Sequence, residues 1–197
     1  MEIVTGFRVA VFSRAPGMTG HPMRERHVTL RDGTRVLIRR LQPTDLSLYP
    51  DFLSEVTNED LRLRLLVPTR EVNPELLKRL VNYDPAKAMA FIAIEEASGR
   101  MLGVVRLHDD AGGEMAEFAI LVRSRLKGHG LGWLLMRHMM GYAKEKGLRA
   151  VYGDVLAENT SMLSMSAELG FRIVENPAER GVRRVELPID QMPDEEM

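Results

Sequence analysis

The chain is predicted to fold as a mixed α/β domain of the α+β kind, with a central, mostly antiparallel sheet and helices on both faces. Three observations carry this. Strand-like segments at 88–94, 101–107 and 115–122 follow one another with only short turns between, the pattern of an antiparallel meander. The last of them runs through a glycine-rich turn into a long amphipathic helix. A further strand-like segment after that helix, 150–156, can therefore lie parallel to the one at 115–122. Helix-period segments also precede the meander, so helices are available to cover both faces.

Taken in order, residues 1–26 read as a tail. Phe7 to Phe12 can form a short strand, and Pro16, Gly17, Gly20 and Pro22 then read as turn. Val28 to Leu41 alternates around Asp32-Gly33, a hairpin signal. Thr44 or Asp45 is placed to cap a helix whose buried face is Leu46, Tyr49, Phe52, Leu53 and Val56. Pro50 should kink or restart it, because an interior proline removes a hydrogen bond and clashes with the preceding turn. Helices are expected at 59–66 and 74–82. Arg62 and Arg64, two apart and hence on different helical faces, read as a solvated basic edge. The meander is joined by Glu95–Arg100 and by the turn Asp109–Gly113. Leu131, Leu134, Leu135, His138, Met139 and Tyr142 then recur at helical spacing, and Gly147 stops that helix. Asn159 is placed to cap the next helix and Gly170 to end it, and strands at 171–174 and 183–187 complete the domain. The organisation is thus a tail at 1–26, one domain at 27–190 and a short tail at 191–197.

Composition narrows the functions available. With Lys+Arg 27 against Asp+Glu 28, the net charge of −1 gives no overall field for nucleic acid or an anionic membrane. The absence of cysteine excludes disulfides, thiolate metal sites and a cysteine nucleophile, and suits a reducing cytoplasm, where the protein is expected. No apolar run reaches the ~20 residues of a membrane span, and the first residues lack the pattern of a signal peptide. The five histidines show no metal-ligand spacing, so no metal is expected. The methionines at helical spacing, Met136, Met139, Met140, Met162 and Met165, read as core.

The segment with chemical content is 115–142. Between strand and helix, Gly128, Gly130 and Gly132 remove the side chains that would hold a ligand off the backbone. The exposed amides and the positive helix end then converge as an anion site. The dinucleotide fingerprint fails, since Trp133 stands at its third glycine, and the mononucleotide P-loop pattern is absent. Glu117 is a carboxylate inside an apolar strand, where burial should raise its pKa towards that of a useful base.

Lys127-x-x-Gly130-x-Gly132 between a strand and a helix resembles the Q/R-x-x-G-x-G/A loop of the GNAT acyltransferases, with Lys at the first position. The resemblance covers about 28–190. Arg39–Asp45, Asn82-Tyr83-Asp84, Glu117–Arg123, Leu126–Gly132 and Asn159 through Leu169-Gly170-Phe171 look like the acetyltransferase domain of bacterial Pat-type protein lysine acetyltransferases. Asn82 departs from that pattern, which has an acidic residue there. The resemblance implies a GNAT fold, acetyl-CoA as cosubstrate, and Glu117 as general base. It implies diphosphate binding by Lys127, Gly128, His129, Gly130, Leu131 and Gly132, and backbone N–H groups near Leu121 and Val122 for the oxyanion. Asn159, with Met162 beside it, would lie along the pantetheine arm. The implied partner is a protein presenting a lysine, acyl-CoA synthetases included. Many GNAT enzymes protonate the departing thiolate with a tyrosine at the position held here by Ser166, which leaves water, Ser161, Ser164 or Tyr142 for that step. Two other functions share these features: acetylation of a small amine, and a non-catalytic module that senses acyl-CoA.

Overall fold

The computed structural model describes residues 25–65, 74–174 and 181–192. The strand expected at Phe7–Phe12 and the turn after it lie outside them, as does the last residue of the helix expected at 59–66. Strands β1 (Arg26–Thr29) and β2 (Arg35–Arg40) form the expected hairpin, with Gly33 in the left-handed region at φ 87°. A 3-10 turn, Pro43–Leu48, hands over to α1 (Tyr49–Ser54). Pro50 sits in the first turn of α1, where its missing N–H costs nothing, so the proline restarts the helix. The cap of the 3-10 turn is Gln42 rather than Thr44 or Asp45. The Asp45 carboxylate reaches back to the Gln42 N–H at 2.7 Å and is held by Arg39 at 2.7 and 2.8 Å.

Helices α2 (Asn58–Leu65) and α3 (Pro74–Val81) precede the meander β3 (Ala88–Glu95), β4 (Met101–Asp109) and β5 (Met115–Val122). Then come α4 (Leu131–Lys146), β6 (Ala150–Leu156), α5 (Thr160–Glu168), β7 (Arg172–Val174) and β8 (Val182–Pro188). The strands form one sheet in the order β1-β2-β3-β4-β5-β6-β8-β7. Its parallel pair is β5–β6, as the helical crossover between them requires.

Strand β3 is buried on both faces, which explains its unbroken apolar run. On one side, Phe91, Val105, Leu107 and Phe118 pack with Leu131, Leu135, Met139 and Ala143 of α4. On the other, Ala90, Ile92 and Ile94 pack with Tyr49, Phe52, Leu61, Leu77 and Val81 of α1–α3. Each large side chain so buried contributes on the order of 1.5–3 kcal/mol. His138 belongs to the first core: its ring stands edge-on to Phe91 at 4.6 Å, and burial pushes its pKa down to about 4.

The feature that creates a site is a divergence. β5 and β6 pair only at Met115↔Ala150, Ala116↔Val151 and Glu117↔Tyr152, although both strands continue beyond. β5 stays bonded to β4 as far as Val122, and β6 to β8 as far as Leu156, so the sheet opens between them like a V.

Candidate active site

The V is the floor of a cleft of about 650 Å³. Its walls are β5 from Glu117 to Val122, the loop Leu126–Gly130, the first turn of α4, Asp154 and Val155 of β6, the start of α5, and Asp60 and Arg64 of α2. In β5 alternate N–H groups point to opposite sides. The Arg123 N–H bonds the Leu102 carbonyl of β4 at 2.9 Å, and Gly103↔Val122 and Val104↔Leu121 continue that register. The Leu121 N–H therefore faces β4, while those of Ile120 and Val122 face the opening. Of the two amides expected at the oxyanion, only that of Val122 is aimed into the cleft, although both residues line it.

At the upper end, Gly128 (φ 78°) and Gly130 (φ 89°) occupy the left-handed region, and a Cβ on either would meet nothing within 4 Å. Glycine is required there by conformation, and the space in front of the loop is open. The first bond of α4 runs from Leu134 N–H to Gly130 O at 3.0 Å, so the N–H groups of Leu131, Gly132 and Trp133 project from the helix end. At Gly132 a Cβ would make only an ordinary contact, 3.6 Å from the Met165 sulfur of α5, so neither space nor conformation demands glycine there. This end has the left-handed glycines, outward amides and dipole that a diphosphate needs. The Asn159 side chain caps α5 by accepting from Met162 N–H at 3.2 Å and from Ser161 Oγ at 3.1 Å, and all three residues line the cleft.

Glu117 closes the lower end, one rung above the V. Burial raises its pKa and the charge of Asp154 adds to this, while Arg64, Arg184 and His108 pull the other way. Asp154 is itself gripped by Arg184 through two bonds of 2.8 Å, and the Arg184 guanidinium lies 4.7 Å from the centre of the Tyr152 ring. Glu117 thus stands among charges of both signs in a half-buried site, which makes it a stronger base than an exposed carboxylate.

Chain from outside the V completes it. Asp60, 8% exposed, accepts from Lys127 Nζ and Ser124 Oγ, tying α2 to the glycine loop. Arg62 bonds Glu59 at 2.7 and 2.9 Å and Glu158, at the end of β6, at 2.8 Å. Arg64 lines the cleft with Glu117. The expected solvated edge at Arg62 and Arg64 is therefore corrected: α2 straps the opening of the V. Lys127, expected on the diphosphate, spends its ammonium on Asp60, since a buried carboxylate requires a partner.

Residues 55–171 match the acetyltransferase (GNAT) family. The chain belongs to the GNAT acetyltransferases. It is 31% identical over 145 residues to an acetyltransferase of Pseudomonas aeruginosa, across 73% of this chain and 78% of that protein. Among solved structures, the GNAT domain of S. lividans PAT superposes with a TM-score of 0.76 at 26% identity, over 83% of this chain and 96% of that one. A cAMP-binding acyltransferase from Mycobacterium smegmatis shares the fold at 0.58 and 24% identity, over 88% of this chain and 50% of that one.

GNAT acetyltransferases use acetyl-CoA, and the cleft has the features to hold it. The structure brings together Glu117, Leu121, Val122, Lys127, Gly128, His129, Gly130, Gly132, Asn159 and Met162 as cleft-lining residues, whereas the Leu131 side chain is buried and only its N–H reaches the cleft end. Ser166 is 1% exposed and does not line the cleft. Tyr142 packs on Phe91 at 5.6 Å, and Ser164 is not on the wall, so Ser161 is the hydroxyl of the three that reaches it. Sequence reasoning missed Asp60, Arg64 and Asp154. Asp154 lies two residues beyond Tyr152, the β6 partner of Glu117, and could have been found from that alternation; nothing local marks the other two.

Proposed function

We propose that this GNAT enzyme transfers an acetyl group from acetyl-CoA to the ε-amine of a lysine on another protein. Acyl-CoA synthetases are the first acceptors to try. The observation that carries this reading is Glu117, set at the closed end of the V opposite the glycine loop and the free N–H groups of the α4 end. A lysine with a pKa of about 10.4 is almost wholly protonated at pH 7 and attacks only as the neutral amine. Glu117 takes the proton, the N–C bond forms while the C–S bond breaks, and the thiolate leaves with CoA. With a pKa near 8.5 that thiolate departs without strong acid help, and the second proton, shed by the nitrogen as the amide forms, reaches it through water, a serine hydroxyl being too weak an acid to supply one. The Val122 N–H supports the carbonyl oxygen as charge develops there.

Two further observations favour a protein acceptor. The sheet beside Glu117 continues across β6, β8 and β7 as a polar strip in which Tyr152, Asp154, Arg184 and Glu186 are half-buried and Arg172 and Val174 exposed. Among the described residues this is a surface rather than an enclosed amine pocket, and its Asp154 is already paired with Arg184. The likeness to the GNAT domain of S. lividans PAT points the same way. The test is CoA release with acetyl-CoA and a panel of purified proteins and small amines, with modified lysines mapped by mass spectrometry, for wild type and Glu117→Gln. Turnover confined to small amines overturns the acceptor assignment. Binding of acetyl-CoA without turnover on any amine overturns the catalytic one.

A further inference from the structure

One aromatic residue at the cleft is unused by the chemistry above. Of the two aromatics lining it, Phe118 is buried, whereas Trp133 is 37% exposed, a rare state for so large an apolar side chain among the described residues. Trp133 is the first side chain beyond the glycine loop, in the opening turn of α4. Arg137, one turn on, holds its guanidinium 5.0 Å from the ring centre and is not itself on the cleft wall. One side of the indole is thereby engaged, while another part of it borders the cleft.

The geometry points to Trp133 as the stacking platform for the adenine of the donor, a purine nucleotide joined to the diphosphate at the loop. This inference rests on the reading of the cleft as the acetyl-CoA site. A diphosphate held by the loop has the acyl arm on one side and the adenosine on the other. The acyl arm must run down β5 to Glu117, so the adenosine leaves past the loop, where Trp133 stands. The β1–β2 turn closes that end: Thr29, Leu30 and Arg31 line the cleft together with His129 of the loop. Leu30 supplies apolar surface, and the exposed Arg31 a cation for the ribose phosphate. An indole already stacked by a guanidinium is a pre-ordered π-surface for a base. A scattered surface aromatic needs no explanation, but this one borders an anion site.

Trp133 is the single tryptophan of the chain, so intrinsic emission reports this ring alone. The wild-type protein is titrated with acetyl-CoA, with adenosine bisphosphate, and with S-acetylpantetheine, which lacks the nucleotide; binding is followed in parallel by calorimetry. Quenching by the first two and none by the third is expected. Trp133→Ala should raise KM for acetyl-CoA ~10-fold, towards the low end of what one stacked base contributes. KM for S-acetylpantetheine should not move, and Trp133→Phe should recover most of the loss. Acetyl-CoA that binds by calorimetry without altering the emission, or a KM indifferent to Trp133→Ala, overturns the platform and leaves the donor site standing. No binding of acetyl-CoA at all overturns the donor site and the platform with it.

Discussion

The ring of Phe118 lies against the backbone of Gly153 one rung past Glu117↔Tyr152, so closely that a Cβ on Gly153 would stand 2.6 Å from the Phe118 ring. The same ring packs on Phe171 at 5.3 Å. The two strands part just where an aromatic ring has taken the place of a side chain. Gly153→Ala must displace that ring, and overpacking of this kind costs about 1–3 kcal/mol. Urea denaturation should show the loss, and Phe118→Leu in the same chain should return part of it. Equal stability of wild type and Gly153→Ala would show that the ring yields freely.

Glu117→Gln removes the proton acceptor while keeping shape, and should lower kcat/KM by ~10²-fold or more with acetyl-CoA binding unchanged by calorimetry. The pKa of Glu117 is raised by burial and Asp154, so activity should rise with pH through a limb above the ordinary carboxylate range of ~4. Asp154→Asn removes a neighbouring negative charge and should move that limb to lower pH. A limb that stays in place in Asp154→Asn speaks against Glu117 as its origin.

Asp60 holds Lys127 and Ser124 from α2, and its pKa lies below the usual carboxylate range because their hydrogen bonds outweigh burial. Asp60→Ala leaves the Lys127 ammonium without this partner and the Ser124 hydroxyl with only its 3.5 Å contact to Thr57 Oγ1, at a cost of about 1–3 kcal/mol, less in so far as Lys127 is half in solvent. Hydrogen exchange should quicken in both α2 and the loop at 124–130. Exchange that quickens in α2 alone would mean the two are not coupled.

Beneath the loop, Asp51 is held at a pKa of about 2 by Arg100 and Arg123, and Glu55 at about 2 by Arg125, Arg123 and Arg100. Arg123 is fully buried and also donates to the Met101 carbonyl at 2.7 Å. Both carboxylates are more acidic folded than unfolded. Their contribution is therefore present above pH ~4 and lost as pH falls towards about 2. Tm measured between pH 5 and 2 should fall steeply over that window, and less steeply in Arg100→Gln, whose partners are already weakened. Parallel curves for the two proteins would remove this network as the cause.

The sequence by itself determined the elements, their order and the glycine loop, because these depend on local physics. Alternation and turns mark the meander, helical spacing marks α4, Gly147 ends it in the left-handed region at φ 77°, and Asn159 caps α5. Pro50, by contrast, was compatible with either a kink or a restart, and Gln42 displaced the expected caps, since both outcomes depend on how the Arg39–Asp45 pair anchors the turn. Glu117 was legible because a carboxylate in an apolar strand is locally anomalous. Its surroundings were not. Only tertiary structure brought Arg64 from α2 and Asp154 from β6 to Glu117, tied Lys127 to Asp60 across 67 positions of chain, and left Ser166 inside the core. Hydrogen-bonded turns and helix ends are decided within a few residues, whereas the V depends on where β6 stops following β5, a choice made by the packing of Phe118 on Gly153.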